Sequence, residues 1–215
     1  MKEIMAVSCF FILQPLVLFV VARVAQACFL AFIAPSGFSA QVQARLLTDF
    51  FQAYSNLLSS IANLLIIGFI GCMARRQKIP FKVYTGLKGA RPPVAVLLLC
   101  LGAAVAANFW FSLVLDSGLF PSDRLAGYGQ AVGALNTGAF VIELMDVMIL
   151  APLTEELLFR GLILGRLGRI LPPGAAIIMQ GLLFGCLHVD TLWILYAAIL
   201  GCIIGYIRVR TGSLL

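Results

Sequence analysis

The chain has 215 residues, 62% of them hydrophobic and 11% charged, with a mean hydropathy of +1.05. That leaves too little polar surface to coat a water-soluble globule, so a soluble domain is excluded and a bilayer is the expected solvent. The formal charge of +6 does not point to nucleic acid, because the cations sit in short loops between apolar runs, where membrane orientation accounts for them.

Apolar runs long enough to cross the ~30 Å hydrocarbon layer recur along the sequence. They predict helices over residues 4–33, 55–74, 93–115, 132–165, 174–189 and 191–207. The expected fold class is therefore all-α: a polytopic transmembrane helical bundle of about six spans, in one domain over residues 1–215. In the first run, Ala25-Gln26-Ala27 has the look of a signal cleavage site. The stretch from Ile4 to Ala22 is longer than a signal core and is followed by Arg23 and more apolar sequence, so it reads as a retained span.

After the second run come Arg75, Arg76, Lys78, Lys82, Lys88 and Arg91, with no acid among them. Such a loop is expected on the cytoplasmic side. Counting spans from it places Lys2, the Arg166 and Arg169 loop and the Arg208 and Arg210 tail on that same side, in a multi-pass protein of the cell membrane. In the long fourth run, Pro152 removes a backbone donor and is the expected kink. Three G-x-x-x-G pairs, Gly161/Gly165, Gly181/Gly185 and Gly201/Gly205, predict close packing of the last three spans. Cys9, Cys28, Cys72, Cys100, Cys186 and Cys202 have no paired spacing and read as small core residues rather than disulfides or metal ligands.

The fourth run also holds Glu143, Asp146, Glu155, Glu156 and Arg160. Each charge at mid-depth costs roughly 2.5–3.5 kcal/mol, so these residues need partners or a function. Glu156 and Arg160 stand at i and i+4 and are expected to pair. On α-helical geometry Glu155 then lies about 100° around the helix without a local counter-charge. Desolvation strengthens a carboxylate as a base, which is what activating a water requires. The bland alternative is that Glu155 pairs with a charge on another helix. His188, the single histidine, follows Gln180 and Phe184 at i+8 and i+4 on one helix face. A lone histidine at a helix end is more often structural, but this one follows the glutamate helix after a short loop.

The run Ala151-Pro152-Leu153-Thr154-Glu155-Glu156-Leu157-Leu158-Phe159-Arg160-Gly161, followed by Phe184-x-x-x-His188, resembles the CAAX protease and bacteriocin-processing family. That family includes the type II CAAX prenyl endopeptidases. The resemblance covers about residues 139–215 and implies a glutamate-dependent intramembrane endopeptidase. In it Glu155 and His188 would activate a water, Glu156 and Arg160 would order the site, and Phe159, Phe184 and Gln180 would support it. Its partners would be membrane lipid and a peptide or membrane-protein substrate, such as a bacteriocin or pheromone precursor. No metal is favoured, since one histidine and adjacent glutamates make a poor zinc cage; zinc, if used, would sit on Glu155 and His188.

The chain departs from the family pattern after Thr211-Gly212-Ser213-Leu214-Leu215, where a further helix with His and Asn one turn apart, thought to stabilise the oxyanion, is usual. Loss of an oxyanion donor typically costs ~10²- to 10³-fold in rate. Two readings follow: a chain cut short before a seventh span, which the abrupt ending favours, or a homologue that keeps the fold as a non-catalytic membrane partner or regulator.

Overall fold

The computed structural model describes residues 1–85, 94–122, 125–126, 129, 140–188 and 190–212. Lys88, Arg91, Asp123, Arg124 and the first part of the fourth predicted run lie outside them. The described residues are all-helical. Helix α1 spans Lys2–Ile33 and turns through Ala34–Ser36 to Gly37, whose φ of 63° suits the residue without a Cβ. Helix α2 is Ala40–Arg76, α3 is Phe81–Tyr84 and α4 is Val94–Asp116.

Helix α5, residues 140–167, alternates α-helical stretches (Phe140–Met145, Ala151–Glu155, Leu164–Leu167) with wider π-helical ones at Asp146–Leu150 and Glu156–Ile163. Helices α6 and α7 are Pro173–Gly185 and Thr191–Thr211. Among the described residues three helical segments, Lys2–Ser36, Ala40–Arg76 and Thr191–Thr211, are long and apolar enough to cross a membrane. With 13 residues, α6 reaches only ~20 Å and falls short of a crossing by itself.

The first π stretch has an identifiable cause. Pro152 cannot donate to the turn before it and would clash there in an α-helix. In place of the expected kink alone, the chain widens into a π turn immediately before it, where the Ala151 N–H bonds the Asp146 carbonyl. The second π stretch closes with the Leu164 N–H on the Phe159 carbonyl.

The chain forms two compact units. One comprises Ile12–Phe69 and Val132–Thr154. Its core holds Val21, Leu58 and Ala62, with Val17, Ala25 and Phe51 packed against them. Phe29 stacks on Phe50 at 4.5 Å between centroids. That contact explains why α2 begins at Ala40 rather than near residue 55: hydropathy reads the bilayer, whereas packing on α1 extends the helix through a more polar stretch. Asp146, buried, accepts a 3.1 Å hydrogen bond from Asn63 Nδ2, so one of the costly charges of the fourth run has its partner here.

The other unit comprises Met1–Phe11, Ile70–Ala131 and Glu155–Leu215. Its centre is the α6–α7 pair. A Cβ on Gly181 would run into Cys202 Sγ and the Ala198 carbonyl, and one on Gly185 would lie 2.6 Å from the Ile194 carbonyl oxygen. A Cβ on Gly201 would lie 3.1 Å from Gly181 Cα. Gly181, Gly185 and Gly201 therefore let the helix backbones meet, as expected, while Gly205 faces the Gln180 side chain of α6. The third pair does not act this way: Gly161 abuts the Thr85 carbonyl, but a Cβ on Gly165 would meet nothing within 4 Å. Asp190 caps α7 by accepting from the Leu192 and Trp193 amides at 2.9 and 3.2 Å. This cap ends the turn after Gly185, so α6 stops short of residue 189.

The cysteines also differ from expectation. Cys9, Cys28, Cys72 and Cys186 are exposed free thiols rather than core residues, and Cys202 is partly covered; the Cys100 side chain lies outside what is described. In a bilayer an apolar side chain is as well placed facing lipid as facing protein, so hydropathy does not separate core from surface.

Candidate active site

The Glu155–Glu156 pair falls where α5 passes from α- to π-helical geometry. Arg160 Nη1 lies 3.3 Å from Glu156 Oε1, with side-chain exposures of 1% and 19%. The expected i,i+4 ion pair is thus present and deeply buried. The π turn corrects the expectation for Glu155. A turn that closes at i+5 carries residue 160 back over residue 155, and Arg160 is within electrostatic reach of Glu155 as well as Glu156. Glu155 does have a local counter-charge. Arg208 on α7 also acts on Glu156.

From Arg160 a chain of aromatic contacts leads to the histidine. The guanidinium carbon sits 4.5 Å from the Phe184 ring centroid, a cation–π contact. Phe184 meets Phe159 edge-on at 5.1 Å and His188 edge-on at 5.4 Å. Trp193 closes the series, 5.5 Å from His188. Sequence reasoning missed Trp193; its place five positions after His188, just inside a helix opened by Asp190, was the available signal. His188 Nδ1 is 3.2 Å from the Phe184 carbonyl oxygen. A carbonyl only accepts, so this contact assigns the proton to Nδ1 and leaves the lone pair on Nε2.

Gln180 is fully buried one turn before Phe184. Its Oε1 lies 2.6 Å from where a Cβ on Gly205 would stand, so a larger residue there would have to push the amide aside. Both amide atoms of Gln180, together with Nε and Nη2 of Arg160, are buried without a protein hydrogen-bond partner.

Between α4 and α7 lies an apolar cavity of about 440 Å³, lined by Trp110, Phe111, Leu192, Leu195, Tyr196 and Ile199 among others. Among the described residues no group of three or more His, Cys, Asp or Glu side chains comes together. A structural zinc site takes four protein ligands and a catalytic one three, so this donor set does not fit zinc and no step is routed through a metal.

The fold and site thus define a helical membrane protein with a buried arginine and partly buried glutamate and histidine side chains on neighbouring helices. Residues 137–215 match the family of type II CAAX prenyl endopeptidases described as Rce1-like, the stretch that carries the glutamates, Arg160, Phe184 and His188. This is the family to which the motifs point, and it is one of proteases, which supports hydrolase chemistry for the chain. No curated protein and no solved structure matches the chain.

Proposed function

We propose that the chain is a glutamate-dependent intramembrane endopeptidase. The observation that carries this reading is the buried Glu156–Arg160 pair, joined through Phe184 to His188, within the stretch that matches the protease family. Glu155 takes a proton from a water that His188 Nε2 orients, and the resulting hydroxide adds to the peptide carbonyl. The proton then passes to the leaving nitrogen as the C–N bond breaks. Glu156 and Arg160 fix the helix that presents Glu155 and are positioning residues. No metal enters these steps, so dialysis against a chelator is expected to leave cleavage unchanged.

The apolar cavity flanked by Leu192 suits an apolar substrate group, and the family description names prenylated proteins as one candidate. An unmodified bacteriocin or pheromone precursor is the other. The test is cleavage of a prenylated CAAX peptide and of an unmodified leader peptide by protein in lipid nanodiscs. Glu155→Gln and His188→Ala are each expected to lose ~10²-fold or more in rate while the protein stays inserted. Undiminished cleavage in both variants would sink the mechanism.

A further inference from the structure

A second cavity, of about 380 Å³, opens within the Glu155–Leu215 unit, lined by Tyr84, Gly161, Gly165, Arg166, Arg169 and Arg208 among others. We propose that it binds the phosphate of an anionic phospholipid headgroup. Its charge is one-sided: three of its lining residues are arginines and none is acidic. Arg169 shares its charge with Glu3 at 3.0 Å, and Arg208 acts on Glu156. Arg166 differs. Among the described residues it has no carboxylate partner; it lies over the Phe10 ring at 4.5 Å and the Tyr84 ring at 5.9 Å, with Nη1 on the Leu162 carbonyl at 3.0 Å.

Aromatic faces thus hold a guanidinium in place while leaving most of its N–H fork for an anion. The Tyr84 hydroxyl, buried without a protein hydrogen-bond partner, lies in the same wall and supplies a neutral donor. Gly165 explains itself in this setting. It packs against nothing, so its missing side chain serves the open space of the cavity rather than a helix contact.

Position selects the ligand. Arg166 ends α5, Arg208 lies in the last turn of α7, and Gln77 from the end of α2 also lines the cavity. Helix ends of a membrane protein stand at headgroup depth, where phosphate is abundant and basic pockets between helices capture it. The Arg166 guanidinium and the Tyr84 hydroxyl, in a wall that carries further positive charge, match the several acceptor oxygens of a phosphodiester.

The test uses the full chain in detergent, titrated with phosphatidylglycerol or phosphatidylcholine and read by native mass spectrometry. Saturable binding of one phosphatidylglycerol is expected, weakened roughly tenfold or more by Arg166→Gln and by Gly165→Leu, and unaffected by Arg210→Gln in the exposed tail. Gly165→Leu fills the cavity at a position with no neighbour to displace, so it remains informative if the arginine variant folds poorly. Inorganic phosphate and glycerol phosphate are run alongside. If they bind as tightly as the lipid and lose binding in the same variants, the source is a soluble phosphate and the lipid assignment is overturned. Phosphatidylglycerol binding that survives both variants overturns the site. Displacement of the lipid by a free peptide carboxylate, with loss in both variants, overturns it in favour of a substrate-end site.

Discussion

The two ends of the Glu156–Leu167 stretch use the same residue types in opposite ways. At its start Arg160 is sealed between Glu156 and Phe184, beside an α6–α7 seam where Gly181, Gly185 and Gly201 bring backbones together. At its end Arg166 rests on aromatic faces without a carboxylate partner, and Gly165 faces open space. Arginine and glycine report the neighbourhood they are placed in, and residue type alone does not separate a packed seam from a cavity wall.

Substitutions at matched positions test that contrast. Arg160→Met takes away the ion-pair partner at 3.3 Å and leaves the partly buried Glu156 carboxylate to the more distant influence of Arg208. This is expected to destabilise the fold by about 3 kcal/mol in unfolding titrations; adding Glu156→Gln should recover much of the loss. Next in size, Gly181→Ala forces the α6–α7 seam apart and is expected to cost about 1–3 kcal/mol. A Gly181→Ala protein as stable as the parent would mean that the seam is looser than described. Arg166→Met removes the ring contacts and the hydrogen bond to the Leu162 carbonyl but strands no buried carboxylate among the described residues, and is expected to cost about 1 kcal/mol. Gly165→Ala has the opposite sign: with space for the methyl and a better helix former in place, thermal unfolding should show a gain of about 0.5–1 kcal/mol.

Much of the site is legible in the sequence because it depends on local spacing. The i,i+4 relation of Glu156 and Arg160, and of Phe184 and His188, survives in the structure, as does the seam at Gly181, Gly185 and Gly201. The relation of Glu155 to Arg160 does not follow from spacing, since it depends on a π turn that changes which residues stack. Asn63 as the partner of Asp146 lies far away in the chain, and no local pattern announces it.

The sequence by itself determined the solvent and the candidate site: its hydropathy points to a membrane, and its one run of adjacent carboxylates with a following histidine supplies the candidate acid–base groups. Tertiary structure decided which charges meet, which glycines pack and which cysteines face outward. The reason is physical. In a bilayer the inside and the outside of a helix are both apolar, so hydropathy finds the helices but leaves their faces to be chosen by backbone approach and by the partners of buried charge.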